Sequence, residues 1–255
     1  MKQEFINAIE EMAERSGDVI RSYFRKPIAV DEKQDLSPVT IADRTAEEIM
    51  RAIVRKKFPD HGIIGEEFGS ENIDAEYVWV FDPIDGTKSF ICGALEFGSL
   101  IALKHGNEVI LGAFHQPITR ELLIGDGSST RCNGKKVSVR QCDSLDKAVL
   151  LTTDHLNIEK YQDKDKFDRL IHLVKLYRNW GDCFGYYLLA TGFADIMIDP
   201  IMNIWDSYAL IPIIRGAGGV ITDYRGNDPV QGNDIIAASQ GIHTEVVRLL
   251  NTGKL

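Results

Sequence analysis

Four short apolar runs between Tyr77 and Ile124 constrain the fold most, because so little chain joins them. Tyr77 to Phe81, Phe97 to Leu103, Val109 to Phe114 and Leu122 to Ile124 read as strands. The later ones are separated by the turns His105-Gly106-Asn107 and Pro117 to Arg120. Asn133-Gly134 marks a further hairpin. Strands joined this closely pair antiparallel. Ahead of them, Phe5, Ile9, Met12, Val19, Ile20 and Phe24 fall at helical spacing, and a second helix is expected from Thr40 to Phe58. From Ala148 the pattern alternates. Strand Ala148 to Thr152 leads to helices near Asp165 to Tyr177 and Asp182 to Thr191. Strand Ala194 to Ile198 and a helix near Trp205 to Arg215 follow. Strands Val220 to Thr222 and Ile235 to Ala238 and helix His243 to Leu250 complete the chain. A meander followed by alternation predicts a layered α/β fold in two tightly packed halves, 1–145 and 146–255.

Composition narrows the function. The net charge of −9 argues against nucleic acid or an anionic membrane as a partner. An acidic protein that binds a phosphate ester is expected to draw positive charge from bound metal. No stretch approaches the ~18–20 apolar residues of a membrane span, and residues 1–14 lack a signal-peptide core, so a cytoplasmic location is expected. The four cysteines form no Cys-x-x-Cys pair and read as reduced thiols.

The chemistry concentrates in Trp79-Val-Phe-Asp82-Pro-Ile-Asp85-Gly-Thr87-Lys-Ser-Phe90, an apolar strand ending in two carboxylates. Those carboxylates, with the Ile84 carbonyl, can converge on a hard cation. Gly86 and Thr87 offer backbone N–H groups to a phosphate oxygen. Glu66 and Glu67 follow another short apolar run, Asp206 opens an expected helix, and Asp43 lies at the start of the second helix. Each of these also has a plainer reading, as a cap, a turn or solvated surface. No cysteine has an arginine six residues later, and no nucleotide-binding Gly-x-x-x-x-Gly-Lys-Ser/Thr loop occurs. The histidines form no close metal-binding pair.

Gly65-Glu66-Glu67, Asp82-Pro-Ile-Asp85-Gly-Thr87 and Trp205-Asp206 ahead of Gly216-Ala-Gly-Gly219 resemble the inositol monophosphatase superfamily. Lys33-x-Asp35-x-Ser37-Pro-Val-Thr40-x-Ala-Asp43 is similar to its N-terminal motif. The resemblance covers nearly the whole chain. It implies an αβαβα sandwich, a Mg²⁺-dependent and lithium-sensitive phosphomonoesterase holding two or three ions, and a homodimer. By position, Glu66, Asp82, the Ile84 carbonyl, Asp85 and Asp206 match metal ligands, and Thr87 with Asp43 matches the pair that activates water. Glu66 and Asp85 belong to the same catalytic set, and Gly86 and Thr87 match the phosphate cradle.

The segments Asp82 to Gly93, His115-Gln116-Pro117 and Trp180-Gly181-Asp182-Cys183-Phe184-Gly185-Tyr186 are similar to the histidinol-phosphate phosphatase branch. Asp182 and Asp199, with Asp85 and Asp206, are the expected substrate contacts. An acidic Asp182 suits a substrate carrying ammonium or imidazole. The expected substrate is L-histidinol phosphate. The alternatives are inositol-1-phosphate or another sugar phosphate, 3′-phosphoadenosine 5′-phosphate, and an inactive relative that binds metal and phosphate.

Overall fold

The computed structural model describes residues 2–32 and 38–252. Lys33, Asp35 and Ser37 of the N-terminal motif, and the end of the mixed-charge segment 25–36, lie outside the described residues. The chain opens with α1 (Lys2–Tyr23), the short pair β1 (Val30–Glu32) and β2 (Pro38–Thr40), and α2 (Ile41–Lys57). It continues through β3 (Gly62–Gly65), β4 (Gly69–Glu71), β5 (Tyr77–Asp85), α3 (Thr87–Ile91), β6 (Gly98–His105), β7 (Glu108–Gln116), β8 (Glu121–Gly125), β9 (Thr130–Cys132) and β10 (Lys135–Val137). After residue 145 come β11 (Val149–Thr152), α4 (His155–Tyr161), α5 (Lys164–Leu173), β12 (Leu176–Arg178), α6 (Asp182–Ala190) and β13 (Ile196–Asp199). Then follow α7 (Ile204–Ser207), α8 (Leu210–Gly216), β14 (Val220–Thr222), β15 (Ile235–Ala238) and α9 (His243–Thr252).

The strands form two large sheets. The first has the order β10-β9-β8-β7-β6-β5-β3-β4 and is antiparallel except where β3 runs parallel to β5. The second, β12-β11-β13-β15-β14, is parallel on one side of β13 and antiparallel on the other. Side-chain alternation turns these sheets into layers. Trp79 and Phe81 of β5 face outward onto α1 and α2, packing with Ile9, Met12, Met50 and Val54. Val80 points the other way, with Leu100 and Phe114, onto Tyr186, Leu189, Ile211 and Ile214 of α6 and α8. Those two helices rest in turn on Leu151, Met197 and Ala237 of the second sheet. Leu150, Ile196 and Ile198 face its far side, where α5 and α9 cover them with Phe167, Leu170, Val246 and Leu249. The layers therefore run α, β, α, β, α, as the family resemblance implies.

Two expected helices differ from those observed. The helix near Asp165 to Tyr177 stops at Leu173, and Leu176–Arg178 forms edge strand β12, parallel to β11. The apolar run 170–177 carries both helical and alternating spacing, and so short a run is ambiguous by periodicity. The helix near Trp205 to Arg215 is broken into α7 and α8. Pro212 explains the break, since a continuous helix would need its missing N–H and would clash with the carbonyl four residues back. Strand β4, helix α4 and the β1–β2 pair are additional elements. All four cysteines are free thiols. Among the described residues no helix is long and apolar enough to cross a membrane.

His115 of β7 is packed against α1 where Gly17 lets the helix approach. A Cβ on Gly17 would lie 2.5 Å from His115 Cε1. Nδ1 of this buried ring has no hydrogen-bond partner among the described residues. Burial, with a smaller contribution from the charge of Arg21, lowers its pKa from 6.5 to about 4. The unfolded chain takes up this proton near the ordinary value, whereas the folded chain holds it only near pH 4. Stability from neutral His115 is complete above pH 6.5 and is lost as the pH falls toward 4. The loss should reach about 3 kcal/mol. Urea unfolding of wild type and His115→Leu across this range checks it, and an unchanged pH slope in the variant would refute it.

Candidate active site

Strand β5 carries Asp82 and Asp85 to the rim of the first sheet. In a regular strand, residues three apart point to opposite faces. The ladder with β6 slips here: Asp82 pairs with Leu100 and Asp85 with Gly98, so β5 holds one extra residue. This bulge brings both carboxylates to one side. Pro83 leaves no donor idle in the slip, and its carbonyl accepts the Ser99 hydroxyl at 2.7 Å. Asp206 arrives from α7 across the cleft, and oxygens of Asp82, Asp85 and Asp206 all lie within 4.8 Å of one another.

Each of these carboxylates is anchored through backbone donors. Asp82 Oδ1 accepts the Ile84 N–H at 3.0 Å. Asp85 Oδ2 accepts the Cys183 N–H at the start of α6. Asp206 Oδ2 accepts the Asn203 N–H at 2.8 Å in a capping box. Burial raises all three pKa values, followed for Asp82 by the charges of Glu66, Asp85 and Asp206 and for Asp85 by those of Asp182 and Asp206. Asp206 is pushed up to about 7, by burial first. Carboxylates gathered this close call for a compensating cation, and an all-oxygen cluster fits a hard divalent ion. Glu66, directly after β3, lines the same cleft of about 570 Å³.

The turn that presents Glu66 is built by residues that carry no signal of their own in the sequence. Glu47 of α2 is fully buried, accepts the backbone N–H of Glu67 at 2.8 Å and of Phe68 at 3.2 Å, and pairs with buried Arg51 at 2.7 Å. Gly65 makes room for it, since a Cβ there would lie 1.9 Å from Glu47 Oε1. In the sequence Glu47 and Arg51 look like an ordinary solvated i,i+4 pair. Only their burial marks them.

Asp43 is the third residue of α2, and Thr40 is its cap. Asp43 Oδ2 accepts the Thr40 N–H at 2.8 Å and the Thr40 hydroxyl at 2.5 Å, which leaves Oδ1 facing Thr87 Oγ1 at 3.3 Å. Burial raises the Asp43 pKa, opposed by the Thr40 hydrogen bonds. The Thr87 hydroxyl also lies 2.9 Å from the Ile84 carbonyl, and its single proton serves one acceptor at a time. Gly86 has φ 86°, and a Cβ would come within 2.7 Å of the Glu96 carbonyl. The residue must therefore be glycine.

Asp182 and Asp199 also line the cleft. Asp182 is not the cap of α6 but its first residue, after Gly181. Its pKa rises to about 7, by burial and then by the charge of Asp199. Asp199, at the end of β13, receives the Thr153 N–H on Oδ1 at 3.2 Å and the buried Tyr186 hydroxyl on Oδ2 at 3.0 Å. Lys88 is the one cationic side chain among the described residues lining the cleft, against Glu66, Asp85, Glu96, Asp154, Asp182, Asp199 and Asp206.

The chain matches the inositol monophosphatase family over residues 1–254. It is 47% identical over 219 residues to the chloroplastic bifunctional phosphatase IMPL2 of Arabidopsis thaliana, covering 84% of this chain and 63% of that protein's length. A histidinol-phosphatase of Chlorobaculum parvum is 36% identical over 247 residues, 96% of this chain and 95% of that one. The structure of an inositol monophosphatase from Zymomonas mobilis is similar with a TM-score of 0.87 at 36% identity, covering 97% of this chain and 98% of that one. The chain belongs to the inositol monophosphatase family, whose members are metal-dependent, typically on Mg²⁺. Its enzymatic class is that of a phosphoric monoester hydrolase.

Two outcomes follow from this geometry. Mg²⁺ at a hundred times its dissociation constant should stabilise the fold by about 2.7 kcal/mol, read as a rise in Tm. No rise would mean the carboxylates do not bind the ion. Glu47→Ala, which strands Arg51 in the interior, should cost about 3–5 kcal/mol in urea unfolding. A loss below about 1 kcal/mol would show that the pair carries little of the turn.

Proposed function

We propose that this protein hydrolyses L-histidinol phosphate to L-histidinol and phosphate. The observation that carries the reading is the surplus of carboxylate in the cleft. Beyond Glu66, Asp85 and Asp206, the side chains of Asp182 and Asp199 add negative charge to the cleft that an uncharged polyol meets only through hydroxyl hydrogen bonds. An ester bearing an ammonium group does match it. The likeness to a histidinol-phosphatase over 95% of that protein's length supports the same reading.

In this proposal Glu66, Asp82, the Ile84 carbonyl, Asp85 and Asp206 hold two or three Mg²⁺ ions. Bound there, Mg²⁺ supplies Lewis-acid charge and lowers the pKa of water. Thr87 Oγ1 orients the attacking water by accepting one of its protons in a hydrogen bond while donating its own to Asp43 Oδ1. The Thr40 bonds keep Asp43 Oδ2 occupied, so Oδ1 is the acceptor that remains. The backbone N–H groups of Gly86 and Thr87 hold phosphate oxygens. Asp182 and Asp199 hold the ammonium end of the ester, with Asp85 and Asp206 flanking it. The homodimer implied by the family resemblance belongs to the same proposal.

Hydrolysis of inositol-1-phosphate is the second reading, favoured by the likeness to the Zymomonas mobilis enzyme. Phosphate release with Mg²⁺ separates the two. A preference for histidinol phosphate of about a hundredfold or more, nearly 3 kcal/mol in the transition state, is expected. Comparable rates on inositol-1-phosphate would refute the substrate assignment and leave the phosphatase class in place. Asp85→Asn should lower turnover at least about a hundredfold while the protein stays folded. Retained activity would overturn the ligand assignment.

A further inference from the structure

Asp182 and Asp199 come from different elements, yet one residue touches both. Thr153, just after β11, donates its backbone N–H to Asp199 Oδ1 at 3.2 Å. Its side-chain Oγ1 accepts the backbone N–H of Asp182 at 2.7 Å. Asp182 has φ 48°, a left-handed conformation that a non-glycine residue adopts at some cost. Gly181 before it is pressed so closely onto Thr153 that a Cβ would lie 2.1 Å from the Thr153 Cα. The strained first residue of α6 is thus tied to the second sheet by one hydroxyl. The other oxygen of Asp199 is already taken by Tyr186, so that carboxylate is fixed from both sides.

We propose that Thr153 is a positioning residue for substrate selection, setting the separation of Asp182 and Asp199 so that both meet a single cationic group on the ester. The proposal rests on the histidinol-phosphate reading. The chemistry lies in the hydroxyl acceptor: Ala removes it and Ser keeps it. Without the hydroxyl, Asp182 loses the bond that holds its left-handed backbone, and its carboxylate moves relative to Asp199. Neither Asp182 nor Asp199 is a proposed metal ligand, and the Cys183 N–H holds Asp85 independently of the Thr153 hydroxyl, so the larger effect is expected on recognition of the ammonium end.

The test compares wild type, T153A and T153S with Mg²⁺ on L-histidinol phosphate and inositol-1-phosphate, together with amide hydrogen exchange at Asp182. T153A should lower the preference for histidinol phosphate about tenfold through KM, the scale of one hydrogen bond, and T153S should restore it. Exchange at the Asp182 amide should rise in T153A and not in T153S. Equal losses on both esters without rescue by serine would overturn the proposal, as would an Asp182 amide protected alike in all three proteins. If wild type shows no preference for histidinol phosphate, the substrate reading falls, and the exchange measurement alone decides whether Thr153 positions Asp182.

Discussion

Repulsion among clustered, buried and half-buried carboxylates is what the rest of the molecule is built to withstand. Asp82, Asp85 and Asp206 are gathered to within 4.8 Å, and in low dielectric like charges so close strongly disfavour joint ionisation. The fold holds them with backbone N–H groups. Asp82 takes one from Ile84, Asp85 from Cys183, Asp206 from Asn203, Asp43 from Thr40 and Asp199 from Thr153. In each case one carboxylate oxygen is anchored to the main chain; the second oxygen of Asp199 also accepts the Tyr186 hydroxyl.

This arrangement removes an apparent conflict between capping and catalysis. Asp43 and Asp206 are both third residues of their helices and both complete capping boxes, with Thr40 and with Asn203. A cap needs one oxygen, and the acceptor left over faces the site. The layering adds the second requirement. The first sheet delivers Asp82, Asp85 and Glu66, the helices between the sheets deliver Asp182 and Asp206, and the second sheet delivers Asp199. In the proposed reading, substrate recognition and metal binding share one cleft, joined by α6, whose first turn touches Asp85 on one side and Thr153 on the other.

Much of this was legible in the residues. The run Trp79 to Asp85 reads as a buried strand ending in charge, because a strand covered on both faces must be apolar until it leaves the core. The Asn133-Gly134 turn reads as the hairpin that joins β9 and β10. Other features had no local signal. The bulge that turns Asp82 and Asp85 to one side depends on register with β6. Glu47 looks like any exposed helix carboxylate until Gly65 and Arg51 are folded around it. Thr153 and the positive φ of Asp182 arise only when α6 is pressed onto the second sheet. Tertiary packing also decided the 170–177 segment, where strand pairing with β11 prevailed over helical spacing.

The most direct test is a crystal structure grown with Mn²⁺ and read by anomalous scattering, since that ion takes the place of Mg²⁺ and is itself visible. Peaks within about 2.0–2.6 Å of Asp82, Asp85 and Asp206 oxygens, with Glu66 and the Ile84 carbonyl completing the set, are expected. An ordered site with those carboxylates unliganded, at a Mn²⁺ concentration that supports phosphate release, would contradict the cluster's role as the metal centre.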